Sequence, residues 1–117
     1  MRTTVLIVDD HDDFRASASA LLEAEGFAVL GEATTGGSAI VESERLRPDV
    51  VLLDIQLPDL DGFTVAERLA AAQEPPAVVL ISSREAEAYG PRLEAGPARG
   101  FISKRELSGA ALAALIG

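Results

Sequence analysis

The chain has no cysteine, which excludes disulfides, thiolate metal sites and a cysteine nucleophile. Such usage is expected of a protein from a reducing cytoplasm. Basic residues are scarce: 10 Lys and Arg against 19 Asp and Glu give a formal net charge of −9 and a pI near 4.4. A molecule of that charge repels nucleic acid and anionic lipid, so DNA binding by this chain is not expected. Long apolar runs are missing as well. Val5 to Val8 is too brief for a signal-peptide core or a membrane span, so no membrane association is expected. Neither a GxxxxGK[ST] motif nor another phosphate-cradling glycine loop is present, and no internal repeat or low-complexity linker interrupts the chain.

What remains is the composition of a compact domain. The chain has 117 residues, of which 48% are hydrophobic and 25% charged. That length suits one domain, residues 1–117, with its own core. Three runs are continuously apolar: Val5 to Val8, Val50 to Leu53 and Ala77 to Ile81. Unbroken runs of this length read as strands buried on both faces of a parallel sheet. Phe27 to Thr34 and Gly100 to Ser103 are mixed in polarity and read as edge strands.

Helical spacing fills the intervals. Phe14, Ala18, Leu21 and Leu22 form one face of a helix stopped at Gly26, with Asp12 or Asp13 at its N-terminus as cap or dipole partner. A second helix runs from about Ser38 to Leu46 and ends before Pro48. Asp61-Gly62 opens a third, carrying Phe63, Ala66, Leu69 and Ala70. A fourth, from Arg84 to Glu94, is interrupted by Gly90-Pro91 and is expected to be short or kinked, with Tyr89 packed near the break. Leu107, Ala111, Ala114 and Leu115 make the apolar face of the fifth.

Five strands alternating with five helices predict a three-layer, doubly wound α/β fold with a parallel sheet. With the continuous strands central, the order is 2-1-3-4-5. In such a sheet every strand C-terminus lies on one rim, where ligands bind. Asp9, Asp10, Asp54, Ser82 and Lys104 are thereby brought together although they are scattered in the chain. Three neighbouring carboxylates call for a hard cation, and Mg²⁺, which takes few carboxylates and retains exchangeable positions, suits them better than Ca²⁺. Lys104 and Ser82 suit phosphoryl oxygens, and Asp54 is placed to accept phosphate as an aspartyl-phosphate. Without a nucleotide cradle, the donor is expected to be another protein or a small phosphodonor. His11 reads as a solvated loop residue.

Val8-Asp9-Asp10, Leu53-Asp54 with Pro58 and Asp61-Gly62, Ile81-Ser82, and Phe101-Ile102-Ser103-Lys104 together resemble the receiver domain of two-component response regulators, as in the chemotaxis regulators. The resemblance covers essentially the whole chain. It implies the flavodoxin-like (βα)5 fold, whose order 2-1-3-4-5 is therefore not an independent reading. It further implies Asp54 as phosphoacceptor and Asp10, Asp54 and the backbone carbonyl of Gln56 as Mg²⁺ ligands, with Asp9 acting through water. Ser82 would be the switch hydroxyl, Lys104 the phosphate-pairing lysine and Phe101 the switch aromatic.

The implied function is that of a phosphorelay switch charged by a sensor histidine kinase, with no enzyme activity beyond self-catalysed phosphoryl transfer and autodephosphorylation. The implied partners are that kinase and a second copy bound through the face of the fourth helix, fifth strand and fifth helix. Gly100 to Leu107 also resembles the NarL/LuxR-type branch, in which a separate helix-turn-helix effector binds DNA. Two features depart from the family pattern: Arg105 stands where proline often follows the lysine, and Gly90-Pro91 breaks the fourth helix. They motivate a second reading, a receiver-like interaction module that works without phosphorylation. A phosphatase of the haloacid dehalogenase kind is disfavoured by Gln56, where those enzymes carry a second Asp.

Overall fold

The computed structural model describes residues 1–117. Five strands, β1 (Thr4–Val8), β2 (Ala28–Ala33), β3 (Val50–Asp54), β4 (Ala77–Ser82) and β5 (Gly100–Ser103), alternate with helices α1 (Asp12–Ala24), α2 (Gly36–Leu46), α3 (Gly62–Ala70), α4 (Arg92–Ala95) and α5 (Gly109–Ile116). All strand pairs are parallel and the sheet order is β2-β1-β3-β4-β5. This is the doubly wound order expected from the three continuous runs. No helix is long and apolar enough to cross a membrane.

The central strands are apolar throughout because both faces are covered. Leu6, Val8, Val51, Leu53, Val78 and Leu80 point into a core shared with Ala39 of α2 and Val65, Ala66 and Leu69 of α3. Their neighbours Val5, Ile7, Val50, Leu52, Val79 and Ile81 point the other way, toward Ala18 and Leu22 of α1 and Leu112 of α5. Alternate residues of a strand face opposite sides, so an unbroken apolar run supplies both cores at once.

The helix termini show how local chemistry fixes the boundaries. Thr35 caps α2 by accepting the Ser38 N–H at 3.0 Å, while the Ser38 hydroxyl accepts the Thr35 N–H at 3.2 Å. Asp61 caps α3 through the Thr64 N–H at 2.8 Å. At α1 the expected Asp12 or Asp13 cap is absent. His11 occupies that position without a side-chain bond, and both acids fall in the first turn, where they meet the helix dipole instead.

Two helices differ from the periodicity. The span from Arg84 to Glu94 holds only a 3-10 turn (Ala86–Ala88) and the four-residue α4, separated by Gly90 at φ 58°. The fifth helix begins after Ser108, whose hydroxyl accepts the Ala111 N–H at 3.0 Å. Leu107, Ala111 and Leu115 pack against the core as expected, with Leu112 fully buried beside them, whereas Ala114 is exposed.

A further tie joins distant segments. Asp59, in the loop between β3 and α3, accepts the N–H groups of Gly36 at 2.7 Å and Gly37 at 2.9 Å. These are the first amides of α2, which lack partners within the helix. The Gly37 and Gly36 bonds hold the Asp59 carboxyl below its ordinary range. The native state therefore holds fewer protons at this group than the unfolded chain, so its contribution is full above the ordinary carboxylate range and fades as pH falls through the lowered value. Urea midpoints measured at neutral and acid pH should show Asp59→Ala less stable than the parent at neutral pH, with the gap closing in acid.

Candidate functional site

The strand register assembles the rim. Val8 pairs with Leu53, so Asp9 follows β1 beside Asp54; Asp54 pairs with Ile81, one residue before Ser82; Ser82 pairs with Ser103, one residue before Lys104. Five groups separated by up to 95 positions in sequence thus become neighbours. Asp9, Asp54 and Ser82 are buried, Lys104 is nearly so, and Asp10 is exposed.

Asp9 is held from several directions. Its Oδ1 accepts the His11 N–H at 2.8 Å and faces His11 Nδ1 at 3.0 Å. Arg15 of α1 donates to the Asp9 carbonyl at 2.8 Å and also binds Glu32 at 2.8 Å and Asp12, so the exit of β1 is clamped between α1 and the end of β2. Asp9 Oδ2 lies 2.5 Å from Lys104 Nζ but outside the direction of a hydrogen bond, and it has no other polar partner. The contact is an ion pair by distance only.

Asp54 divides its oxygens. Oδ1 accepts the Gln56 N–H at 3.1 Å, and Oδ2 lies 3.4 Å from Lys104 Nζ. Gln56 enters the site through this amide. Burial pushes the Asp54 carboxyl above its ordinary value, opposed by the Gln56 amide and the Lys104 charge and reinforced by the Asp9 charge. Lys104 is steadied from below by the Phe14 ring, 4.8 Å from its nitrogen. The Arg105 that follows pairs with Glu85, and every peptide bond is trans.

Carboxylate oxygens of Asp9, Asp10 and Asp54 and a nitrogen of His11 all lie within 4.8 Å of one another. Asp9 Oδ2 is buried with no hydrogen bond, and the Lys104 ammonium 2.5 Å away is the one positive side chain set against three neighbouring carboxylates. An oxygen-rich donor set of this kind fits a hard divalent cation.

Ser82 bonds to the segment that follows β4 and to none of the acids. Its Oγ lies 2.6 Å from the Tyr89 hydroxyl and accepts the Arg84 N–H at 3.1 Å. The Tyr89 ring sits between Phe63, 5.9 Å between centroids, and Phe101, at 6.1 Å. Phe101 is half-buried and packs against the α3 side of the core.

Two participants were not expected from the sequence. His11 is largely exposed, yet its Nδ1 bridges Asp9 and, at 3.2 Å, Asp10; adjacency to the acid pair was the available signal. The Tyr89 hydroxyl on Ser82 had only the uniqueness of this tyrosine to mark it.

A doubly wound parallel sheet carrying three carboxylates, a lysine and a hydroxyl on its C-terminal rim defines a switch-point site of the flavodoxin-like class. The chain belongs to the response regulator receiver domain family, whose model matches residues 5–116. It is 35% identical over 101 residues to the DNA-binding transcriptional activator EvgA of Escherichia coli K12, covering 86% of this chain and 50% of EvgA. Over 108 residues it is 36% identical to a protein-glutamate methylesterase/protein-glutamine glutaminase of Alkalilimnicola ehrlichii, covering 90% of this chain and 27% of that protein. The signal receiver domain of the response regulator NarL from Mycobacterium tuberculosis superposes with a TM-score of 0.87 at 31% identity, covering 99% of this chain and 98% of that one. The chain spans about half the length of the curated transcriptional regulators it matches.

Proposed function

We propose that residues 1–117 form a phosphoacceptor switch in which Asp54 takes a phosphoryl group from the phosphohistidine of a sensor histidine kinase or from a small phosphodonor. The observation that carries this reading is the setting of Asp54: buried at the exit of β3, with Lys104 at 3.4 Å on one oxygen and two further acids beside it. An Asp54 oxygen attacks phosphorus, an acyl phosphate bond forms, and the bond to the donor breaks with its electron pair leaving on the donor. Lys104 stands where charge on the phosphoryl oxygens must be balanced, and Ser82, at the end of the adjacent strand β4, would supply a hydroxyl donor.

Asp10, Asp54 and the Gln56 carbonyl would hold Mg²⁺, with Asp9 acting through water. When bound, the ion supplies charge neutralisation at the phosphoryl oxygens. The chain itself has no further enzyme activity in this reading. Its relatives include both a DNA-binding activator and a methylesterase, so the output lies with whatever the receiver is joined or docked to. Pairing of two copies through α4, β5 and α5 is the proposed route to it, and the net charge of −9 argues against nucleic-acid contact by this part.

Acetyl phosphate with Mg²⁺ should add one phosphoryl group to the intact chain by mass spectrometry, and EDTA should prevent it. Absence of that gain, with partner binding intact in Asp54→Ala, would instead favour the phosphorylation-independent module suggested by the four-residue α4.

A further inference from the structure

Ser82, the hydroxyl that the proposed function moves to the phosphoryl group, is already engaged. A serine hydroxyl has one proton and two acceptor positions. The Arg84 N–H takes one acceptor position, and Tyr89 takes either the other or the proton. With Ser82 as the donor its proton points at Tyr89, and a phosphoryl oxygen at Asp54 must draw it away.

The far side of this bond is poorly anchored. Tyr89 ends the 3-10 turn Ala86–Ala88, and neither that turn nor α4 contains a buried residue. Gly90 at φ 58° separates them. The segment's other holds are Leu93, half-buried against the core, and Arg92, stacked 4.1 Å above the Phe63 ring and 4.0 Å from Asp61. A segment with few buried contacts opens at low cost. Phe101 has no hydroxyl, is built into β5, and packs against the Tyr89 ring.

We propose that Tyr89 is a positioning residue for Ser82: its hydroxyl holds Ser82 in the unphosphorylated chain, and phosphorylation of Asp54 exchanges Tyr89 for a phosphoryl oxygen, releasing the segment Ala86 to Ala95. This rests on Asp54 being the phosphoacceptor. Phe101 is then a wall against which Tyr89 packs, and the moving aromatic is on the loop.

The chain contains one tyrosine and no tryptophan, so its intrinsic fluorescence reports Tyr89 alone. The probe is beryllofluoride with Mg²⁺ added to the full chain, with binding followed independently by fluorine NMR. Tyrosine emission should change on binding in the parent. Ser82→Ala should show altered emission before addition and a smaller response after it. Tyr89→Phe keeps the ring and removes the competing bond, so its affinity for beryllofluoride should rise about fivefold, the equivalent of one ordinary hydrogen bond. A purely structural tyrosine would give no such gain. Beryllofluoride binding with unchanged tyrosine emission, or unchanged affinity in Tyr89→Phe, overturns the exchange while leaving the phosphoacceptor reading intact. Failure of the parent to bind beryllofluoride or take phosphate from acetyl phosphate overturns both.

Discussion

Asp54→Asn is expected to abolish phosphoryl uptake from acetyl phosphate and, in the same protein, to raise stability at neutral pH. The first effect is total, because an amide oxygen is no nucleophile toward phosphorus, and Asp9, the other carboxylate beside Lys104, lacks the Gln56 amide contact. The second follows from burial. Asp54 is 2% exposed and its carboxyl is held above the ordinary value, first by desolvation.

A native carboxyl with a raised pKa binds more protons than the unfolded chain between its ordinary and raised values. Stability therefore falls as pH rises through that window and stays lower above it. Asparagine keeps the shape and removes the charge. Lys104 is not stranded, since Asp9 remains beside it at 2.5 Å. Denaturation midpoints across pH, with intact mass after acetyl phosphate treatment, check both halves. Continued uptake by the variant would remove Asp54 from its role, and a variant less stable than the parent at neutral pH would show that Lys104 and Gln56 outweigh the burial of the charge.

Gly62→Ala is expected to destabilise the chain by roughly 3 kcal/mol, at the upper end for overfilling a packed site. A Cβ there would lie 2.6 Å from the Asp54 carbonyl oxygen and 2.7 Å from Ile55 Cα. Both are backbone atoms, which cannot swing aside as a side chain can. The Gly62 N–H also donates to the Ile55 carbonyl at 2.7 Å, so α3 and the exit of β3 cannot separate without losing that bond. The urea midpoint should fall with an unchanged slope, and phosphoryl uptake should slow because the displaced backbone carries Asp54. A parent-like midpoint would mean that the loop yields more easily than its contacts suggest.

The parts of the fold legible in the sequence were those set by burial. Val5 to Val8, Val50 to Leu53 and Ala77 to Ile81 could be placed centrally because only strands covered on both faces stay apolar without alternation, and the acids and hydroxyl at their ends then fell on one rim. Less was legible where a side chain reaches across to a distant backbone. Asp59 binds amides 22 and 23 positions earlier, and no local periodicity records such a tie. The fifth helix was legible in Leu107, Ala111 and Leu115, which pack on the core, but not in Leu112, its most buried residue, or in Ala114, which is exposed. At the broken fourth helix, Gly90-Pro91 gave the interruption but not its extent. With so little of that segment buried, hydrophobic spacing had nothing to report.

The rim draws Asp9 from the first strand, Asp54 from the third and Lys104 from just beyond the last. Asp9 and Asp54 meet once β1 and β3 pair, but Lys104 joins them only when β4 and β5 have been added in register. A chain still emerging from the ribosome has its acids long before it has its lysine, and a chain that has misplaced β5 has the acceptor without its counter-charge. Under the proposed function, a molecule whose sheet is incomplete would lack the counter-charge that phosphoryl uptake needs.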